Sequence, residues 1–424
     1  MSGGTVRPPS GRDAGFGALL SDPNLRRLWF TQLFSSSGES LAQIAMPLLV
    51  YELTGSARMV GLMALVLILP RVVLAPITGL LADRLDRRRL MIGSDVLRLV
   101  LAGLVPFTTN LWQLAILAVA ISVGNAVGRP AELAAVPSVA GPHRLVAALS
   151  LVQVSNGIIR IAIPAAGAGV IAAVGPGPVF WIQAGCFAGS LLALRRLHIP
   201  REGSVSGEQP GLLQSARREM WLGLRMIRTI PIVRGVTLSE AIFQIATSAM
   251  TVAGLIYTQE TLDLGDAASA SFALMTTFLA AGAVLGAVVA RHIERRIGRS
   301  SMMALGYLGP FFLAIAVFQP GMPVIYAAWF VFGFLDALAV ISFQAYLAEA
   351  VPASERGRMY AAWGAVVSLA AAIAFYGMGW ITPWLGAPLT FALAGITVGI
   401  GAPTLLWLTG ALRSVREGVE PVRS

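Results

Sequence analysis

The residues of this chain that could do chemistry are a few charged side chains inside long apolar segments. Glu39 and Asp336 each lie near the middle of such a segment, and Arg71 and Arg160 lie inside two others. A charge at the centre of a membrane-spanning helix costs at least about 2.5–3.5 kcal/mol on insertion scales, which makes such residues functional candidates. Burial favours a protonated carboxyl group and a nearby arginine favours an ionised one, so alternating access to water could load and unload a proton. We expect Glu39 to be the main proton carrier and Asp336 the second, with Arg71 or Arg160 as the counter-charge. Permanently ionised structural pairs are the alternative.

Two further ion pairs are suggested by a spacing of three residues. Asp95 with Arg98, and Arg129 with Glu132, each place opposite charges on one face of a helix. We interpret both pairs as structural. Glu240 is another charged residue inside an apolar segment and is a candidate on the same ground.

Other kinds of chemistry are disfavoured by residue types that are missing or rare. The chain has no lysine, whereas a Walker A phosphate loop and a Schiff base both need one. The single cysteine, Cys186, can form neither an intramolecular disulfide nor a cysteine-based metal cage, and the three histidines lie far apart. We therefore expect no cofactor, no metal site, no enzymatic activity and no ATP-driven transport by this chain alone.

The composition is typical of a protein that lies in a lipid bilayer. The chain has 424 residues, of which 56% are hydrophobic and only 12% charged, and its mean hydropathy is +0.75. Apolar runs of about 20 residues cross a hydrocarbon core of about 30 Å as helices. The 45 glycines and 24 prolines are tolerable in membrane helices, where neighbouring groups satisfy freed backbone atoms. These features predict an all-α integral membrane protein.

Twelve membrane-spanning helices, called spans 1 to 12, can be read from the apolar runs. We place them at 27–52, 59–82, 90–109, 111–135, 145–174, 178–197, 231–257, 267–292, 299–318, 321–350, 356–381 and 386–411. Arginines concentrate in the loops after the even-numbered spans, which places these loops and both termini in the cytoplasm. The net charge of +10 is explained by this pattern, so we expect the inner or plasma membrane as the location and no nucleic acid as a partner.

The chain repeats itself at about half its length. Arg296-Ile297-Gly298-Arg299 mirrors Arg84-Leu85-Asp86-Arg87 at an offset of 212 residues, and Ala-Val-Pro recurs at an offset of 215. Two pseudo-symmetric six-helix bundles follow from this repeat. The expected domains are an N-terminal tail (1–24), a first bundle (25–200), a linker with an amphipathic helix (201–230), a second bundle (231–412) and a C-terminal tail (413–424).

A charge-dense hinge joins spans 2 and 3, with the sequence GLLADRLDRRR at residues 79–89. It resembles the signature Gly-x-Leu-Ala-Asp-Arg-x-Gly-Arg-Arg of the major facilitator superfamily, except that Asp86 stands where that family has glycine. The resemblance implies a transporter with the facilitator fold. It also implies that this loop helps to lock the cytoplasmic side closed; a topology anchor is the alternative. The residues implied in the lock are Gly79, Asp83, Arg84, Arg87 and Arg88.

Span 5 weakly resembles the antiporter motif of the same family. That motif kinks span 5 and packs it against span 8. Pro164 and Gly167 would form the kink here, and Gly282 and Gly286 of span 8 would allow close packing.

Spans 1, 4, 7 and 10 line the central cavity in facilitator proteins, so Glu39 and Asp336 should face one cavity. The other candidates for its lining are Phe34, Gln43, Asn125, Gln244, Thr247, Phe343 and Gln344. This mixture suits an amphipathic small molecule held by few polar groups.

Several motifs, including Asp95-x-x-Arg98 and Arg356-Gly357-Arg358, resemble the exporter branch that contains macrolide-efflux and enterobactin-exporter-like proteins. We expect a monomeric, proton-coupled exporter of a drug- or siderophore-like molecule. An importer, uniporter or lipid mover on the same fold, and a non-transporting membrane sensor or scaffold, stay open as alternatives.

Overall fold

The structure is a computed structural model that describes residues 16–141, 144–199, 212–352 and 355–410. The first half of the chain folds into seven helices. They are α1 (Phe16–Leu20), α2 (Pro23–Thr54), α3 (Ala57–Arg84), α4 (Arg87–Leu104), α5 (Leu111–Ala140), α6 (Leu145–Val174) and α7 (Val179–Leu194). A short 3₁₀ turn, Val105–Phe107, extends α4.

The second half begins with a helix that belongs to the predicted linker and continues with six more. They are α8 (Leu212–Thr229), α9 (Pro231–Ile256), α10 (Ala268–Ile297), α11 (Arg299–Gly306), α12 (Met322–Ala350), α13 (Arg356–Leu385) and α14 (Ala387–Leu408). A π turn, Tyr257–Thr261, extends α9, and a 3₁₀ helix, Gly309–Phe318, continues α11.

The all-α membrane architecture predicted from the sequence is confirmed. Spans 1 to 6 correspond to α2–α7, and spans 7 to 12 correspond to α9–α14. Within the described residues, ten helical segments are long and apolar enough to cross a membrane, and α7 is a shorter apolar helix. Adding the shorter helix α7 and the 32-residue helix α2 to these ten segments gives approximately the twelve predicted spans.

Glycines bring α10 and α12 into backbone contact. A Cβ atom on Gly282 would lie 1.9 Å from the carbonyl oxygen of Phe330, and one on Gly333 would lie 1.9 Å from that of Leu279. Only glycine fits such a crossing. The expectation that Gly282 and Gly286 pack span 8 against span 5 is therefore corrected, because both face α12. The helices α6 and α10 do contact each other, through other residues.

The two halves meet at one end of α3 and α13, opposite the loop between α3 and α4. A Cβ atom on Gly61 of α3 would lie 2.4 Å from the carbonyl oxygen of Phe375 and 2.9 Å from the Cα atom of Gly379, both on α13. Close by, the guanidinium group of Arg58 lies 4.5 Å from the ring centre of Trp380. We call this contact between α3 and α13 the outer seam.

The linker helix α8 packs against α13, α9 and α3. Ile227 is buried, whereas Arg217 and Arg218 are exposed, so the helix is amphipathic as predicted. A Cβ atom on Gly223 would lie 2.5 Å from the carbonyl oxygen of Arg358 on α13. The linker helix is thus fitted to the first turn of α13.

Candidate functional site

A cavity of about 490 Å³ lies between the two halves. Its walls come from α2, α3, α5 and α7 of the first half and from α9 and α13 of the second. Spans 1, 4 and 7 contribute as predicted. Among the described lining residues, none comes from span 10, which is α12, whereas α3 and α13 each contribute several. Apolar side chains such as Met46, Met63 and Phe375 make most of the surface.

The polar part of the lining contains most of the side chains that the sequence suggests. These are Glu39, Gln43, Arg71, Asn125, Gln244 and Thr247. Sequence reasoning missed Gln183 on α7, which also lines the cavity. Its side chain is buried and its Oε1 atom accepts no hydrogen bond. An unsatisfied buried acceptor costs about 1–3 kcal/mol, so Gln183 offers a site for a donor group of a bound molecule.

Four other predicted residues lie away from the cavity. Phe34 packs its ring against Gly189 of α7, where a Cβ atom would lie only 3.1 Å away. Phe343 is buried against Trp363, with ring centres 5.8 Å apart. Gln344 is exposed, and neither it nor Asp336 is among the lining residues. The expectation that Glu39 and Asp336 face one cavity is therefore corrected. Helix α12 packs against α10 through the glycine crossing, so its polar residues lie away from the cavity.

Arg98 on α4 is the centre of a buried charge cluster directly behind the cavity wall. Its side chain is 1% exposed. One terminal nitrogen, Nη1, donates to Glu39 Oε1 at 3.1 Å and to Asn125 Oδ1 at 2.8 Å. The other, Nη2, donates to Asp95 Oδ1 and to Ser94 Oγ. The guanidinium group also lies 4.5 Å from the ring centre of Phe187. Arg98 therefore connects two cavity-lining groups with a carboxylate on its own helix.

Two glycines of α5 make room for Arg98. A Cβ atom on Gly124 would lie 2.9 Å from Arg98 Cγ, and one on Gly128 would lie 2.3 Å from Ser94 Oγ. Because the two glycines are four residues apart, they form one smooth stripe on which the arginine side chain lies. The position of the guanidinium group thus depends on missing side chains in the neighbouring helix.

Glu132 is the third carboxylate of the cluster. Its Oε1 atom accepts a hydrogen bond from Ser35 Oγ at 3.2 Å and lies 3.6 Å from Arg98 Nη2. Its Oε2 atom lies 3.5 Å from Arg129 Nη1 but accepts no hydrogen bond. The predicted pairs Asp95–Arg98 and Arg129–Glu132 are therefore both present, and they join with Glu39 into one network instead of standing apart.

Glu39 forms an ion pair with Arg98, which the sequence analysis does not name as a counter-charge. The sequence predicts Arg71 or Arg160 in that role. Arg71 is exposed at the cavity lining. Arg160 lies in α6, and its side chain is outside the described residues.

The second half contains a different buried carboxylate. Glu240 of α9 is 8% exposed and accepts a hydrogen bond of 2.7 Å from the hydroxyl group of Tyr307. Asp336 interacts electrostatically with both groups. Among the described contacts of Glu240 there is no arginine. The two halves, which repeat in sequence, are therefore different in their charged interiors.

The predicted gate residues lie on the two helices that flank the loop between α3 and α4. Gly79, Asp83 and Arg84 lie in α3, but their side chains are outside the described residues. Arg87 donates to the Ala134 carbonyl at 3.0 Å and to Ser138 Oγ at 2.6 Å, both near the end of α5. Arg88 donates to the Leu194 and Arg195 carbonyls at the end of α7. These arginines satisfy helix ends within their own half, and a role in a lock between the halves stays a prediction.

Asp86 stands where the family signature has glycine, and the structure shows what it does. It adopts an extended backbone and accepts the backbone N–H of Arg89 as the N-cap of α4. The corresponding residue of the second half, Gly298, has a φ angle of +78° before α11. The two copies of the loop therefore turn differently, and the aspartate does not need the left-handed conformation that favours glycine.

Pro164 lies inside the continuous helix α6, and the kink at this residue stays a prediction. Gly167 faces α2: a Cβ atom there would lie 3.2 Å from Leu41 Cδ2. This glycine thus supports packing within the first half.

Comparisons with known proteins agree with this architecture. The sequence profile of the Major Facilitator Superfamily matches residues 28–322 and 245–424. The chain is 26% identical over 404 residues to "Uncharacterized MFS-type transporter YfiS" of Bacillus subtilis (strain 168), which covers 90% of this chain and 92% of the relative. It is also 26% identical over 352 residues to "Multidrug efflux pump Tap" of Mycolicibacterium fortuitum, covering 80% and 84%.

Among solved structures, the nucleoside transporter NupG superimposes with a TM-score of 0.70 at 11% sequence identity. The superposition covers 92% of this chain and 98% of that chain. At such low identity the similarity shows a shared fold only.

Proposed function

Because this chain belongs to the major facilitator superfamily and is therefore a multi-pass membrane transporter, we propose that it exports an amphipathic small molecule from the cell in exchange for protons. The observation that carries the proposal is the contact between Glu39 and Arg98. Glu39 lines the cavity, while Arg98 lies behind it in a buried charge cluster. A molecule in the cavity and a proton in the cluster would thus act on the same pair of groups.

The cavity itself supports the proposed class of cargo. Its surface is mostly apolar, with a few separated hydrogen-bonding groups that include Gln183, Gln244 and Thr247. Such a lining binds a molecule through apolar contact and orients it through few polar contacts. The similarity to a multidrug efflux pump supports outward movement of a drug-like molecule.

Alternating access gives the mechanism. The outer seam closes one end of the cavity, where Gly61 and Gly379 allow the backbones of α3 and α13 to touch. At the same end, the hydroxyl group of Tyr51 donates to Glu260, which joins α2 to the π turn after α9. We place this end outside the cell and the termini in the cytoplasm, in agreement with the distribution of arginines. Opening of the outer seam would release the cargo.

Within this mechanism Glu39 is the switch between cargo and proton. When Glu39 is ionised, it holds Arg98 at the cavity wall. A proton on Glu39 itself, or a cationic cargo beside it, weakens that ion pair, so the two ligands compete. We propose that the protein works as a monomer, since one chain supplies both walls of the cavity.

The test uses inverted membrane vesicles with an imposed pH gradient and the dyes rhodamine and ethidium as cargo. We expect dye movement that collapses when an uncoupler is added and that is lost in Glu39→Gln. The matched control is Glu52→Gln, the same change on the same helix at an exposed position, which should transport as the unchanged protein does.

Three results would contradict the proposal. Full gradient-driven transport by Glu39→Gln would remove Glu39 from coupling. Dye movement that is indifferent to the uncoupler would indicate a uniporter. No movement of any dye in the panel would favour a sensor or scaffold.

A further inference from the structure

Among the side chains that the structure describes, the charge cluster around Arg98 contains more carboxylates than arginines. Three acidic side chains, Asp95, Glu39 and Glu132, contact the single guanidinium group of Arg98, and Arg129 is the second cation nearby. Fully ionised, the group of five would have a net charge of −1. An uncompensated charge inside a membrane protein is costly, and carboxylates that share one site do not all stay ionised. The cluster is neutral if it holds one proton.

Asp95 and Glu39 are the carboxylates that accept hydrogen bonds from Arg98. Both oxygens of Asp95 accept strong hydrogen bonds, Oδ1 from Arg98 and Oδ2 from Ser190 Oγ at 2.5 Å. Glu39 accepts a direct hydrogen bond from Arg98, and its side chain is 19% exposed toward the cavity. Charge-assisted hydrogen bonds and partial solvation both favour the anion.

Glu132 has neither advantage. Its side chain is 2% exposed, and both guanidinium groups stay at 3.5 Å or more from its oxygens. One oxygen accepts only the hydroxyl group of Ser35, and the other accepts no hydrogen bond. A buried anionic oxygen without a donor is the most expensive state of a carboxyl group, so the proton of the cluster belongs here.

From this geometry we infer that Glu132 is the residue that holds the transported proton, and that Glu39 senses the cargo. The inference rests on the proposed proton coupling and changes the assignment within it. The proton moves on and off one carboxyl oxygen and no other bond changes. When Glu132 loses the proton, its anion draws Arg98 away from Glu39. When it gains one, Arg98 returns to Glu39 at the cavity wall.

Glu132 lies further along α5 than the residues that line the cavity. It lies seven residues beyond Asn125 along α5, or about 10 Å at 1.5 Å per residue, toward the end of α5 that contacts the loop between α3 and α4. Its neighbour Arg129 is 37% exposed and donates to Ser36 Oγ at 3.2 Å. Arg98 thus stands between the cavity on one side and the proton site on the other, as an exchanger with two ligands requires.

The test is infrared spectroscopy of the purified protein in lipid, at neutral and at alkaline pH. We expect carbonyl bands of protonated carboxylic acids at neutral pH, and we expect one of them, the Glu132 band, to disappear at alkaline pH. The band should be missing in Glu132→Gln and present in Glu39→Gln. Glu240→Gln is the matched control, since Glu240 is also a buried glutamate in a membrane helix, and it should leave this band in place.

Glutamine is nearly the size of glutamate, so Glu132→Gln should fold. If it does not, Glu132→Asp keeps an acid and should shift the band without removing it. A band that is unchanged in both Glu132 variants, or lost in Glu39→Gln, overturns the inference.

Dye transport in proteoliposomes separates this inference from the proposed function. If the unchanged protein ignores the pH gradient, proton coupling fails, while the spectra still decide which carboxyl group is protonated. If Glu132→Gln loses the band and still follows the gradient as the unchanged protein does, the proton on Glu132 is not the transported one, and the inference is overturned.

Discussion

Replacing Gly61 with alanine tests whether the outer seam is the gate that alternating access requires. The new Cβ atom would lie 2.4 Å from the Phe375 carbonyl oxygen, whereas ordinary contact begins at 3.4 Å. The collision is with backbone on both sides, so no side chain can rotate away. The two helices must separate by about 1 Å, and overpacking of this kind costs about 1–3 kcal/mol.

This cost applies only when the seam is closed, so it shifts the conformational equilibrium. A difference of about 1–3 kcal/mol corresponds to a change of roughly 5- to 150-fold in the ratio of open to closed seam. Conformations in which α3 and α13 are apart do not pay the penalty. We therefore expect Gly61→Ala to keep its fold and to populate the outward-open form.

The assay measures how fast a membrane-impermeant maleimide, added outside, labels a cysteine in the cavity. Ser368 of α13 lines the cavity, so Ser368→Cys provides the target after the native thiol is removed by Cys186→Ser. We expect Gly61→Ala to accelerate labelling within the range given above. The matched control is Gly377→Ala on α13, because a Cβ atom there has nothing within 4 Å. Equal labelling rates in the two variants would refute the assignment of the seam as a gate.

Two further predictions concern stability and coupling. Gly128→Ala places a Cβ atom 2.3 Å from Ser94 Oγ and 3.3 Å from Arg98 Nη2. Because this displaces Arg98, gradient-driven dye transport should fall at least tenfold. The control Gly157→Ala, whose Cβ atom meets nothing within 4 Å, should transport normally. Burial raises the pKa of Asp22, but hydrogen bonds from the Leu25 backbone N–H and from Arg144 lower it by more, so that this pKa lies below 3.8. Its stabilising effect is therefore present at neutral pH and is lost as the pH falls through the lowered pKa. Asp22→Ala should cost about 1 kcal/mol in thermal melting at pH 7, as loss of an N-cap does, and the difference should vanish in strong acid; a difference that persists there would contradict the assignment.

The membrane helices could be predicted because apolar length and arginine-rich loops are local features of the sequence. α6 (Leu145–Val174) has the predicted bounds, since Arg144 and Gly175 mark its ends. The Asp-Arg and Arg-Glu spacings on α4 and α5 likewise predicted ion pairs that exist. Residues three positions apart share one face of a helix, so these ion pairs form within a single helix and can be predicted without knowing how the helices pack.

The sequence could not show that these two ion pairs join with Glu39 in one charge network, because the network depends on how α2, α4 and α5 cross. Arg98 reaches Glu39 only where Gly124 and Gly128 let α4 lie against α5. A sequence shows the glycines but not the partner that uses the space. The same limit explains the misplacement of Asp336 and Phe343, whose helix α12 is held against α10 by glycines.

The difference between glycine contacts within a half and between halves explains how the molecule can be rigid and still switch. Inside the second half, Gly282 and Gly333 bring α10 and α12 so close that a Cβ atom would lie 1.9 Å from a carbonyl oxygen. Gly286 adds a third close approach, 2.4 Å from the Phe334 carbonyl oxygen, so separating these two helices would break several backbone contacts at once. The outer seam is slightly less close: the corresponding distances are 2.4 Å at Gly61 and 3.0 Å at Gly379, and its polar contacts are partly exposed, where an ion pair or cation–π contact is worth about 1 kcal/mol or less. In the proposed mechanism we therefore expect the outer seam to open and the crossing of α10 and α12 to stay closed. The glycines therefore divide the chain into parts that stay together and a surface that separates.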